Sequence, residues 1–116
     1  MTILRHEPSP LLHRVVVANN AAYLSGIVAV DGHADIAVQT DQVLDRLEGC
    51  LAGVGARIEQ VVSATIFLTD MKDKAAMNEV WKRRFPAAAL PARATIGVSD
   101  LDGPYRIEVT AIAALG

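Results

Sequence analysis

The chain has 116 residues, 52% hydrophobic but only 4% aromatic, with a formal net charge of −2 and one cysteine. That length holds one core, read as a single domain over residues 1–116, and the slightly acidic balance excludes a general attraction for nucleic acid or anionic membrane surfaces. Cys50 alone excludes an intrachain disulfide, and no apolar run approaches a membrane span, so a cytoplasmic protein is expected. The surplus of small apolar side chains reads equally as oligomer interfaces or as compositional bias.

His13 to Ala18 is a β-branched run, followed by Asn19-Asn20 and a second apolar run, Ala21 to Ser25. This pattern predicts a tight hairpin, because Asn tolerates the positive φ of such turns. After Gly26, Ile27 to Val30 continues extended, and Asp31-Gly32 marks a turn. Between Asp35 and Gly55 the residues Ile36, Val43, Leu44, Leu47, Cys50, Leu51 and Val54 recur at helical spacing. They predict one helix with a single apolar stripe and Gly55 at a left-handed C-cap. Gln39, Asp41, Gln42, Asp45, Arg46 and Glu48 fall to its polar faces, and Cys50 reads as a buried, inert thiol.

Val61 to Thr69 alternates with no charge on either face, as a central strand does. Asp73 is placed as the cap of a second helix that runs to about Phe85, before Pro86, with Ala76, Met77, Val80, Trp81 and Arg84 on one side. Lys82-Arg83-Arg84 then reads as a solvated last turn that suits the helix dipole. Arg93 to Ser99 and Tyr105 to Ala113 are predicted to form a hairpin around the turn from Asp100 to Pro104. The order β-β-(β)-α-β-α-β-β predicts an α+β domain whose mixed sheet carries two helices on one face. Its other face is left apolar and open, which favours oligomerisation.

Chemistry has few candidate positions. His6, His13 and His33 fall in no metal-ligand spacing, and there is neither a phosphate-binding glycine loop nor a nucleophile elbow. In the C-terminal hairpin, an even-membered turn around Asp102-Gly103 sets Thr95 opposite Thr110 and Gly97 opposite Glu108. Arg93, Thr95, Gly97, Glu108 and Thr110 then share one face, with Gly97 opening space beside the carboxylate. Arg93 and Glu108 read either as a structural ion pair or as a site. In the second case the guanidinium fork captures a carboxylate and Glu108 orients or deprotonates a water.

Pro91-Ala92-Arg93-Ala94-Thr95 and Arg106 to Ala113, with fifteen positions from Arg93 to Glu108, resemble the C-terminal signature of the RidA/YjgF family. Tyr23-Leu24-Ser25-Gly26, Gln39-Thr40, Ala64 to Leu68 with Asp70, and Ala76 to Trp81 extend the resemblance over nearly the whole chain. The resemblance implies a chorismate-mutase-like fold and a homotrimer around a central barrel, with clefts between subunits. It also implies hydrolysis, without a cofactor, of small carboxylated imines or their enamine tautomers, such as 2-aminoacrylate, to keto acids and ammonia. Arg93 would bind the carboxylate, Glu108 would hold the attacking water, and Thr95, Asn78, Ser25 and Gly26 would line the cleft. Two positions depart from the family pattern. Leu12 stands where better-known members carry a tyrosine, and Ile27 replaces the glutamine of Ser-Gly-Gln. The same cleft would serve a non-catalytic ligand-binding or chaperone-like trimer. Ribonuclease activity, which family names sometimes claim, fits the acidic balance less well.

Overall fold

The computed structural model describes residues 1–116. Six strands, β1 (Leu4–Pro8), β2 (His13–Ala18), β3 (Ala21–Val28), β4 (Val61–Leu68), β5 (Ala92–Gly97) and β6 (Ile107–Ala114), form one sheet in the order β1-β2-β3-β6-β4-β5. Two helices, α1 (Ile36–Ala52) and α2 (Lys74–Arg84), connect β3 to β4 and β4 to β5. Asn19 and Asn20 join β2 to β3 with φ of 50° and 59°, the pair of left-handed residues that a two-residue hairpin turn demands.

Topology explains why both helices share a face. β3 and β4 are each antiparallel to β6, hence parallel to one another, and β5 is parallel to β4. Each parallel step needs a crossover, both crossovers move toward the same edge of the sheet, and right-handed crossovers in one direction lay their helices on one side.

Three expectations about the strands change. The amino-terminal segment forms an additional edge strand, β1, and the short extended piece after Gly26 belongs to β3 instead of standing alone as a strand. The C-terminal hairpin does not exist, because β4 lies between β5 and β6. The nine residues from 98 to 106 carry the chain around the end of β4. There the Val98 N–H donates to the Leu68 carbonyl and the Thr69 N–H to the Arg106 carbonyl.

The core lies between the helices and one sheet face. Val43, Leu44, Leu47 and Leu51 of α1 and Met77, Val80 and Trp81 of α2 pack on Leu24, Ile27, Ile66, Leu68, Ile107 and Val109. The Asp35 carboxylate accepts from the Val38 N–H at 2.9 Å and caps α1. At the other end the Ala56 N–H reaches the Leu51 carbonyl and the Gly55 N–H reaches Ala52, around Gly55 at φ 75°.

Gln39 corrects its assignment to a polar face, since it is fully buried. Its amide donates to the Gly32 and Ala34 carbonyls and accepts from the Arg106 N–H, so this buried group ties the loop before α1 to the residue that leads into β6. Asp73 gives α2 no side-chain cap; its carboxylate holds the Arg106 guanidinium bidentately at 3.0 and 2.7 Å. Arg84 is likewise not part of the apolar side of α2, and Ala76 is exposed. Arg84 bridges to Asp41, Asp45 and Glu48 of α1. Burial opposes its charge, but these hydrogen-bonded carboxylates raise its pKa above the ordinary value.

No element of the chain covers the opposite sheet face, where Tyr23, Val62 and Ile96 are about half exposed. No helix is long and apolar enough to cross a membrane. The turn geometry can be tested directly. Asn20→Val is expected to cost about 1–2 kcal/mol, because a β-branched side chain resists the left-handed region. Asn20→Gly is expected to fold as well as the native chain. Denaturant midpoints that match for all three proteins would contradict the turn.

Candidate functional site

Glu108 sits in β6, paired with Val28 of β3 on one side and Phe67 of β4 on the other. Ala64, Ile66 and Leu68 of β4 face the core, so Phe67 and Glu108 face the open side. Beside Glu108 the β3 register slips between Leu24 and Ile27, which sets Ser25 and Gly26 together against Thr110. This bulge brings the Gly26 backbone under the Glu108 side chain. A Cβ built on Gly26 would fall on the carboxylate, 2.8 Å from Cδ. Arg14 of β2 fastens the bulge, its Nη1 donating to the Gly26 carbonyl at 2.9 Å and to Ser25 Oγ at 3.3 Å.

Arg93 lies in β5 opposite Ala64, and therefore on the helix-covered face. Its guanidinium carbon stands 5.3 Å from the centroid of the Trp81 ring, within cation–π range. Trp81 is itself stacked on Phe85 at 4.5 Å. Arg93 takes part in none of the chain's ion pairs, and burial pulls its pKa below the ordinary arginine value. It lines a cleft of about 490 Å³ with Ala75, Asn78, Trp81, Leu90, Pro91 and the ion-paired Glu79 and Lys82. Asn78 Oδ1 and, two residues beyond Arg93 on the same face, Thr95 Oγ1 are buried with no hydrogen-bond partner.

The expected constellation is thus divided. Arg93, Thr95 and Asn78 gather on one face at the β5 edge; Glu108, Ser25 and Gly26 gather on the other. Arg93 and Glu108 are three rows and two strands apart, roughly 14 Å between Cα atoms by ordinary sheet spacing. They do not share a face, because the predicted hairpin that put them together is absent. Gly97 does not open space for Glu108 either: a Cβ there would meet Met71 Cγ at 3.2 Å. Gly26 fills that role. Cys50 is half-buried, and burial followed by the nearby Glu7 charge pushes its thiol pKa up, as suits an unreactive cysteine.

Two residues escaped the sequence reading. Trp81 was assigned only to the helix core, although its ring also supports Arg93. Arg14 was not singled out, although a signal was present: the Asn19-Asn20 turn fixes Val15 opposite Leu24, where the ladder ends, and continuing that register by one position directs attention to Arg14 and Ser25.

Comparison with known proteins agrees with this architecture. The sequence model of the Endoribonuclease L-PSP family matches residues 5–115. The chain is 35% identical over 114 residues to a RutC family protein of Haemophilus influenzae, covering 97% of this chain and 98% of that one. It is also 34% identical over 108 residues to the chloroplastic Reactive Intermediate Deaminase A of Arabidopsis thaliana, covering 88% of this chain and 57% of that one. The crystal structure of a YjgF-family protein from Neisseria meningitidis superimposes with a TM-score of 0.94 at 34% identity, over 100% of this chain and 97% of that one. The protein is a small α+β domain with a carboxylate and an unpaired arginine on opposite sheet faces. It belongs to the RidA/YjgF family, within the Endoribonuclease L-PSP group.

Gly26→Ala tests the closeness of β3 to Glu108. Its φ lies outside the left-handed region, so the backbone tolerates alanine, yet the new methyl occupies the place of the carboxylate. The variant is expected to fold and to swing the Glu108 side chain away from the bulge. A crystal structure with Glu108 unmoved would contradict the packing.

Proposed function

We propose that this chain works as a homotrimer and hydrolyses small carboxylated imines in clefts where Arg93, Asn78 and Thr95 of one subunit meet Glu108, Ser25 and Gly26 of the next. The observation that carries the reading is the condition of Arg93. A partly desolvated guanidinium with no carboxylate partner, braced on an indole beside the unpartnered Thr95 hydroxyl, which can donate, is suited to an incoming carboxylate. Glu108 in the same chain is too distant to serve the same small molecule. The uncovered sheet face supplies the surface on which a second copy would bring its own Glu108 within range. Support also comes from the relative named Reactive Intermediate Deaminase A.

In this reading the Arg93 fork fixes the substrate carboxylate, which sets the adjacent C=N carbon before the water on Glu108. Glu108 accepts a proton as the water oxygen bonds to that carbon and the C=N π electrons move to nitrogen. Glu108 returns that proton to the nitrogen, giving the carbinolamine, and transfer of the hydroxyl proton to the amino group then expels ammonia and leaves the keto acid. An enamine such as 2-aminoacrylate enters after tautomerising to the imine. The C=N bond is already an electrophile, and the protein supplies position and a base.

A trimer of ligand-binding clefts without turnover is the second reading. Leu12 favours it, for it is half exposed in the β1–β2 loop, where the family resemblance implies a tyrosine over the ligand. The two readings separate on Glu108→Gln, which is expected to bind pyruvate-like carboxylates normally while losing about 10²–10⁴-fold in turnover. Arg93→Lys keeps the charge but loses the fork, and is expected to fold normally while losing most activity, on the order of a hundredfold. Unchanged turnover of 2-iminopropionate in either variant would remove that residue from the mechanism.

Subunit mixing tests the composite cleft itself. Refolding Arg93→Ala and Glu108→Gln chains together in equal amounts should restore about a quarter of native activity, because each mixed cyclic trimer contains one cleft with both residues intact. No recovery on mixing would mean that both residues act from the same subunit.

A further inference from the structure

β2 pairs with β3 only as far as Val15 and Leu24. Beyond that point β3 continues to Val28, and its edge toward β2 has no strand to receive its carbonyls. Two arginines take over. Arg14, from β2, donates to the Gly26 carbonyl at 2.9 Å and to Ser25 Oγ at 3.3 Å. Arg46, from α1, donates to the Val28 carbonyl at 2.9 Å. Both line one cleft of about 290 Å³, together with Ile27, Gly49, Cys50 and Glu7, and neither joins an ion pair.

The segment held in this way is the one on which Glu108 depends. On its far edge Val28 pairs with Glu108 and Ile27 with Val109, and the Gly26 backbone lies directly against the carboxylate. Ile27 is 1% exposed and pins the segment to the core from below. A bulge with a neighbouring strand on one edge only is less constrained than one inside a sheet, because its residues lack ladder bonds on the other edge. Hydrogen bonds from guanidinium groups are charge-assisted, and arginine keeps its charge throughout the working pH range.

We propose that Arg14 and Arg46 are positioning residues, which replace the missing strand and hold the Ser25–Val28 segment so that Glu108 keeps a single working orientation. This rests on the imine-hydrolase reading for its kinetic consequence, though not for its structural one. Neither arginine touches the reacting atoms; each acts through the backbone of β3.

The test measures Arg14→Ala, Arg14→Lys and Arg46→Ala beside the native protein, with Arg84→Ala as a control. Arg84 ties α1 to α2 and lies away from the bulge, so its loss destabilises the fold without releasing β3. Hydrogen exchange at the amides of residues 25–28, read below the melting temperature of every variant, should accelerate at least about tenfold in both alanine variants and stay near native in Arg84→Ala. Turnover of 2-iminopropionate should fall roughly tenfold in kcat with KM within about twofold of native, as misplacement of a base does, and Arg14→Lys should recover part of it. Native exchange at residues 25–28 in the alanine variants would overturn the proposal. So would a rise in KM at constant kcat, which marks a substrate contact, or an equal kcat loss in Arg84→Ala, which marks general destabilisation. If the native protein turns over no imine, the hydrolase reading fails separately, and the exchange measurement still decides whether the two arginines hold the segment.

Discussion

The last strand in sequence is the central one in space, and the rest of the structure is arranged around that insertion. β6 completes both of its hydrogen-bonded edges only when β3 and β4 stand on either side of it. Of the two helices that cover one sheet face, α1 belongs to the connection that leaves this gap. Buried Gln39 and the Asp73–Arg106 pair then lock the entry of β6 to α1 and to the start of α2. A hydrogen-bonded buried amide and a bidentate ion pair set the register here more sharply than apolar contacts, which tolerate sliding.

From this register follows the division of charge. Alternation along β4 sends Arg93 toward the helices and Glu108 toward the open face, and no rotamer change in one chain brings them together. Each group is nonetheless prepared for a partner. Arg93 rests on an aromatic ring with its carboxylate-binding edge uncommitted, and Glu108 lies over a glycine in a bulge. The two half-sites are therefore properties of the fold, while the composite cleft proposed for them is a property of assembly.

The local features of this fold were readable because local physics decides them. Asn19-Asn20 gave the hairpin turn, the stripe from Ile36 to Leu51 gave α1, and Gly55 gave its left-handed end. The error lay in the pairing of β5 with β6. Asp102 and Gly103 do have positive φ, so the turn signal was real. But a turn says only that the chain reverses, and whether a third strand enters between the two arms is a long-range matter. Gln39 failed for a related reason: its residue type argued for the surface, and one of the groups that satisfy it when buried, the Arg106 backbone, lies 67 positions away. Of the residues singled out, Arg93, Asn78 and Thr95 gather on one face, and Glu108, Ser25 and Gly26 on the other. Their grouping into two sets required the strand order.

Trp81 is the only tryptophan in the chain, so all indole emission arises from the floor beneath Arg93. The residue is 4% exposed, and the Arg93 guanidinium carbon stands 5.3 Å from its ring centroid. The protein thus contains its own optical reporter: an anion that draws Arg93 off the ring changes the field at the indole, and the emission shifts without any added label.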